Sequence, residues 1–334
     1  MNATIQCLSQ TNDLTNYILS DKFKSNLNNK MKLSQAYLEL IEKLWEKKSP
    51  NSYSPDKFIN LILNIYPKSK YEKLGKDFII FILENLHNEL KKSINNKIEI
   101  GQPLNRYNQR NSFTHFIYEF REEVSKISDI FFGILETNSI CLNCQNKGLK
   151  NSTSYNYQKF NCILFHLDEI KKYLNFNYIQ YEQDDKITLN DCFNYFEKNE
   201  IIKGNNENIC NICKQKSDIL YTTNIYSIPN VLILILLREE NNLCNAKLDF
   251  TETIDITNFV LQKEDKLIYN LYGVISQIIE NNNNPYYIAS CKNSIDQKWY
   301  RFYDDKISSI TNVNREVISY GNPFILFYEK INNK

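Results

Sequence analysis

The chain has 334 residues, with 40 Lys+Arg against 39 Asp+Glu, so its formal net charge of +1 offers none of the long-range attraction on which a phosphate-tracking nucleic-acid binder depends. With 42% hydrophobic residues, 24% charged ones and only 7 Gly and 7 Pro, it has the composition of a globular protein with a large core, and disorder of the whole chain is excluded. The longest uninterrupted apolar run, Val231–Leu237, falls far short of the ~20 residues of a membrane-spanning helix. The first residues show neither a basic start nor the apolar stretch of a secretory signal. The expectation is a protein without nucleic-acid or membrane partners, cytoplasmic or nuclear.

Up to about residue 135 the periodicity is helical. Leu33–Trp45, Pro55–Ile65, Asp77–Leu90 and Phe113–Leu135 each repeat apolar residues at three- and four-residue spacing; in the third, Phe78, Phe81, Ile82, Leu86 and Leu90 form one face. Ser54-Pro55 has the form of an N-cap followed by proline at the first helical position. Four or five helices are expected. From about Cys141 the texture changes to short segments rich in Ile, Val, Tyr and Phe, bounded by Asn, Gly and Pro, which are strand signals. Val231–Leu237 is continuous rather than alternating, as a strand buried on both faces should be. Tyr286–Lys292, Lys298–Phe302 and Pro323–Glu329 are the next strands, and the run Asn281–Asn284 is a solvated turn or loop. There is no fixed-period repeat and no long linker. The fold class is α+β, a helical half and a sheet half carrying an insertion around 140–220.

That insertion contains Cys141-Leu-Asn-Cys144 and Cys210-Asn-Ile-Cys213. Two residues between thiols let a tight turn aim both sulfurs at one point, and two such knuckles supply the four thiolates of a tetrahedral, structural zinc. The long spacer is accommodated if each knuckle tips its own hairpin. The alternative is two unrelated pairs or a pair of disulfides, which a reducing compartment disfavours. Cys162, Cys192, Cys244 and Cys291 lie in apolar or strand-like settings and are expected in the core. The three histidines are His87, His115 and His166. Each sits among apolar or aromatic residues, where a packed, hydrogen-bonded histidine is commoner than a catalytic one.

Taken together, these segments resemble the catalytic domain of the ubiquitin-specific proteases. Met1-Asn-Ala-Thr-Ile-Gln-Cys-Leu8 is similar to the continuation of that family's cysteine box, and Asp77–Leu90 to its Leu-rich helix ending in Leu-His-x-Glu-Leu. Phe132-Gly133 with Cys141 and Cys144, then Cys192, Phe196, Cys210, Cys213, Ile228-Pro229 and Val231–Arg238, follow its next blocks. Tyr287–Asn293, Trp299–Phe302 and Phe324–Glu329 resemble its histidine box. The resemblance implies a papain-like cysteine-protease fold of helical thumb (1–135), zinc-ribbon fingers with part of the palm (136–225) and antiparallel palm (226–334). It also implies structural zinc on Cys141, Cys144, Cys210 and Cys213, and ubiquitin or a ubiquitinated protein as partner.

The catalytic positions depart from the pattern. The family's nucleophilic cysteine lies two residues before the methionine matched by Met1. Its base histidine is matched by Tyr286, after Pro285; its orienting Asp or Asn is matched by Tyr303, with Asp304 next; an upstream acidic position is matched by Leu74. Thiol catalysis needs a base titrating near neutral pH and a partner that orients it. A phenol, titrating near 10, supplies neither. The expectation is a domain that binds ubiquitin or another protein without cleaving it. An active protease whose cysteine lies upstream of a misassigned start, and a scaffold subunit without ubiquitin affinity, are the other readings. Cys7, in an N-terminal helical turn with Ile5 and Leu8, is read as a core residue.

Overall fold

Eight helices precede the first strand among the described residues: α1 (Asn2–Ser9), α2 (Asn12–Leu19), α3 (Asp21–Asn26), α4 (Lys32–Leu44), α5 (Asp56–Ile65), α6 (Gly75–Leu90), α7 (Tyr107–Phe120) and α8 (Lys126–Phe131). The computed structural model describes residues 1–46, 53–66, 75–92, 107–120, 123–149, 153–177, 186–203, 209–210, 212–238, 246–263, 266–279 and 286–331. Leu74, Cys244, the run Asn281–Asn284 and Pro285 lie outside them. More helices are present than the four or five expected, because the first three are too short for periodicity to mark them.

The continuous helix expected over Phe113–Leu135 is broken. Ser125 accepts a hydrogen bond from the Ser128 amide (3.2 Å) while Ser128 Oγ accepts one from the Ser125 amide (2.8 Å), a reciprocal cap that starts α8 afresh. Leu135 lies in a strand. At Ser54-Pro55 the expectation is also corrected: helix α5 starts at Asp56 with Pro55 as N-cap, and the Ser54 hydroxyl donates to Asp56 Oδ1 (2.7 Å) instead of accepting an amide. The helices cap one another as well. Both oxygens of Glu89 on α6 accept from the first amides of α4, Leu33 (3.0 Å) and Ser34 (2.7 Å), which satisfies orphan donors at the positive end of its dipole. On α6, Phe78, Ile79, Ile82, Leu83, Leu86 and Leu90 are buried and Phe81 only partly so; the apolar stripe is wider than the expected face.

Strand structure begins at Gly133, before the expected point near Cys141. The strands are β1 (Gly133–Cys141), β2 (Thr153–Phe160), β3 (Ile163–His166), β4 (Ile187–Thr188), β5 (Glu200–Ile202), β6 (Ile219–Ser227), β7 (Val231–Leu237), β8 (Leu248–Asp249), β9 (Thr253–Asp255), β10 (Ile268–Ile278), β11 (Tyr286–Lys292), β12 (Trp299–Tyr303), β13 (Lys306–Ile310) and β14 (Asn322–Lys330). Helices α9 (Leu142–Asn146), α10 (Leu167–Asn177) and α11 (Leu189–Phe196) interrupt them. β2-β1-β6-β5 form an antiparallel four-stranded sheet. β13-β12-β11-β10-β14-β7-β3, with β9 beside β10, form an eight-stranded sheet whose pairings are antiparallel except β3 with β7.

The large sheet separates two cores, and β7 shows why its sequence has no alternation. Val231, Ile233 and Ile235 face the helices, Leu232, Leu234 and Leu236 face α10, α11 and the loops beyond, and both sets are buried. β14 divides likewise, Ile325 and Phe327 on the helical side, Leu326 and Tyr328 on the other. In β10 a bulge between Leu271 and Gly273 inserts Tyr272, which turns into the helical core and shares a 2.7 Å hydrogen bond with Thr11 on the approach to α2. This sheet face carries α1, and with it the start of the chain, to the ends of β11 and β12.

Candidate functional site

Tyr286 is the first residue of β11 and Tyr303 the last of β12, so antiparallel pairing of these strands brings both to one end of the sheet. Their rings pack with centroids 5.0 Å apart and planes at 44°. Together with Met1–Thr4, Ile275, Tyr287, Asp304, Phe324 and Ile325 they line a cleft of about 260 Å³. Asp304 occupies the turn into β13 with φ at +49°, a left-handed conformation that Asp tolerates better than most side chains, and its carbonyl accepts from Asn2 Nδ2 at 3.2 Å. That bond ties the turn to the first residue of α1. Tyr287 packs on Phe324 (5.3 Å between centroids), and burial raises its phenol above the ordinary range. The α-amine at Met1 is lowered by burial in the same place.

These are the two tyrosines that the family resemblance implies at the base and orienting positions, and the structure brings them into contact at one cleft. None of the three histidines lines it. His87 is buried on α6, its Nδ1 2.8 Å from Ser125 Oγ and its ring against Phe132, and burial, aided by the Lys159 charge, lowers it to about 4. His115 on α7 and His166 at the end of β3 are exposed, contrary to the packed setting expected of them, because each falls on the solvent side of its element. Cys7 lies on the other face of α1, fully buried, with Sγ 3.4 Å from Cys291 Sγ; burial pushes its thiol well up. Cys162, Cys192 and Cys291 are core residues as expected.

The four cysteines of the two pairs converge. Cys141 ends β1, Cys144 follows in α9, and Cys210 and Cys213 sit in a turn closed by the bridge between Ile209 and Lys216. Only the second knuckle tips a small hairpin of its own; the first is a strand-to-helix junction. All four Sγ atoms lie within 4.8 Å of one another, with Cys141–Cys213 at 3.9 Å and Cys144–Cys210 at 3.6 Å. A tetrahedral zinc with Zn–S near ~2.3 Å puts neighbouring sulfurs about 3.8 Å apart, whereas a disulfide needs about 2.05 Å. The donor set fits zinc. Leu142 N to Asp218 O (3.0 Å), Asn143 N to Ser217 Oγ (3.1 Å) and Asn143 Nδ2 to Lys216 O (3.0 Å) hold the knuckles together. With four thiolate ligands no coordination position stays open, so the metal cross-links the tip of the sheet and takes no part in chemistry.

Beneath α7 the structure shows a site the sequence did not mark. Glu136 on β1 is 3% exposed and accepts from Gln109 Nε2 (2.8 Å) and Tyr157 Oη (2.5 Å), beside Phe113 and Tyr226. Burial of Tyr157, with the carboxylate beside it, raises its phenol. No sequence signal joins residues of α7, β1 and β2.

The family model described as ubiquitin carboxyl-terminal hydrolase matches residues 1–328. Ubiquitin carboxyl-terminal hydrolase 2 of Bos taurus is 24% identical over 342 aligned positions, covering 98% of this chain and 53% of that protein. Ubiquitin carboxyl-terminal hydrolase 21 of Homo sapiens is 25% identical, covering 98% and 59%. The chain thus spans a little over half the length of these relatives. Among solved structures, a chain of the yeast SAGA DUB module superposes with a TM-score of 0.68 at 21% identity, covering 99% of this chain and 66% of the other. A chain of the SAGA DUB module Ubp8/Sgf11/Sus1/Sgf73 bound to monoubiquitin gives 0.69 at 20%, covering 99% and 66%. The fold is therefore the papain-like one, with helical thumb, zinc-ribbon fingers and antiparallel palm, and the chain belongs to the ubiquitin carboxyl-terminal hydrolase family.

Proposed function

We propose that this domain binds ubiquitin, or a ubiquitinated protein, without hydrolysing it. The observation that carries the reading is the Tyr286–Tyr303 ring pair at 5.0 Å, in the cleft where the family pattern calls for a base and its orienting residue. A phenol is by its chemistry no general base near neutral pH, and no histidine lines the cleft to replace them. The family membership, the fold and the metal-ready fingers support ubiquitin as the partner: one of the similar solved structures is bound to monoubiquitin and another to ubiquitin aldehyde. Residues 1–135 are read as thumb, 136–225 as fingers with part of the palm, and 226–334 as palm.

The test is incubation of the protein with ubiquitin carrying a C-terminal thiol-reactive electrophile, alongside calorimetric titration with unmodified ubiquitin. Binding without a covalent adduct is the expected result. An adduct overturns the loss of chemistry and points to an active thiol protease. Absence of both adduct and binding heat overturns the ubiquitin assignment and leaves a scaffold subunit.

A further inference from the structure

The cleft's lining is unusual in its charge. Four aromatic side chains, Tyr286, Tyr287, Tyr303 and Phe324, contribute to it, and among the described residues Asp304 is its one acidic side chain and no Lys, Arg or His lines it; the α-amine at Met1 lies there too, lowered by burial. Tyr303 is 38% exposed, so the ring pair is open to solvent on one side. An aromatic face presents negative quadrupole density and attracts a cation within about 6 Å of its centroid. The Tyr286 and Tyr303 rings, with centroids 5.0 Å apart, gather two such aromatic systems at one place in the cleft. Asp304 supplies a full negative charge beside them, and the Asn2 hydrogen bond to its carbonyl holds the turn that carries it.

We infer that the cleft is an aromatic cation site, which takes a weakly hydrated organic cation, the guanidinium or methylated ammonium of a protein side chain. A primary ammonium is strongly hydrated, and ring faces cannot replace the hydrogen bonds it would give up, so it is the poorer ligand. A guanidinium stacks on the rings while donating to Asp304; a methylated ammonium fills the space against them. About 260 Å³ admits either group with part of its alkyl stem. The inference rests on reading this cleft as a recognition site, and it holds whether or not the partner is ubiquitin.

The test uses the whole chain and four capped, fluorescently labelled pentapeptides identical except for a central Arg, trimethyl-Lys, Lys or norleucine, with binding followed by anisotropy. The Arg or trimethyl-Lys peptide is expected to bind about tenfold more tightly than the Lys and norleucine peptides, and the two leading arms separate guanidinium from methylated ammonium. Asp304→Asn should weaken that binding several-fold, Tyr303→Leu should abolish the preference, and Tyr303→Phe, which keeps the ring, should retain it. Tyr303 is partly exposed, and a melting curve run on each variant separates misfolding from loss of the site. Equal affinity for all four peptides, no binding, or a preference that survives both Asp304→Asn and Tyr303→Leu overturns the inference. Ubiquitin titrated separately into the same proteins distinguishes failure of this inference from failure of the ubiquitin reading.

Discussion

Cys7 Sγ and Cys291 Sγ lie 3.4 Å apart although they are 284 positions apart in the chain, and their contact joins α1 to the far end of β11 from Tyr286. Gly273 on β10 makes room for it: a Cβ there would sit 3.3 Å from Cys7 Sγ and 3.3 Å from Phe327. This packing docks α1 on the large sheet, and the first residues of α1 line the cleft. It also makes Cys7 a buried hydrophobe, since the nucleophilic thiolate is suppressed when burial raises the thiol. In the native protein Cys7 and Cys291 should stay unmodified by iodoacetamide under conditions that alkylate both in denaturant. Peptide mapping that finds native Cys7 alkylated at the denatured rate would refute the burial argument.

The metal should be stoichiometric and structural. Elemental analysis is expected to give one zinc per chain, and Cys144→Ser should lose it and lower the melting temperature by roughly 10 °C or more. The loss should leave the Tyr286–Tyr303 cleft intact, because the cleft is lined by α1 and the large sheet, whereas the ligands sit at the tip of the four-stranded one. Full stability in a zinc-free Cys144→Ser protein would contradict the cross-link.

Gly133 is the residue at which α8 hands over to β1. A Cβ there would lie 2.5 Å from the Phe160 ring and 2.7 Å from the Ser227 carbonyl, and the carbonyl belongs to backbone that cannot swing away. Gly133→Ala should therefore destabilise the protein by about 2 kcal/mol, the scale of overpacking in a filled core. Equilibrium urea unfolding measures it; an unchanged midpoint would show that the flanking strands β2 and β6 are free to shift away from β1.

Stability should fall on mild acidification through His87. Its folded value, about 4, lies below the ordinary 6.5, so the unfolded chain binds the proton first and stability is lost as pH drops from about 6.5 toward 4. Burial is the main cause; Lys159 and Lys91 add to it, and Glu123 opposes them. Glu123 itself is held at about 2 by its hydrogen bonds to Lys159 and Lys91, so its own loss of stability begins only below about 4.5. Thermal melts between pH 7.5 and 5 should thus be less steep in pH for His87→Gln than for the parent chain. Parallel slopes would assign the acid sensitivity to other groups.

Much of the fold is legible in the order of residues, because periodicity reports which face an element buries. Leu33–Trp45, Asp77–Leu90 and Tyr286–Lys292 agree with α4, α6 and β11 to within about two residues at each end. Val231–Leu237 is legible for the same reason, as a seven-residue run that only a strand between two cores explains. The cysteine pairs announce a metal site because their chemistry needs only spacing. Short elements were not legible: α1 to α3 have at most eight residues each, too few to establish a period. The reciprocal cap of Ser125 and Ser128 is hidden in a segment whose apolar pattern runs on across it.

The sequence by itself determined that this chain has a helical half, a doubly buried central strand and four thiols suited to zinc, while its resemblance to the family implies tyrosines at the positions of a base and its orienter. Each of those properties belongs to a residue or its near neighbours. Only the tertiary structure decided that Tyr286 and Tyr303 touch, that Asn2 grips the turn at Asp304, and that Glu136 is sealed under α7 by Gln109 and Tyr157. Those contacts join segments distant in the chain. Their geometry depends on strand register, on a bulge at Tyr272 and on the docking of α1, and packing sets all three jointly across the whole core.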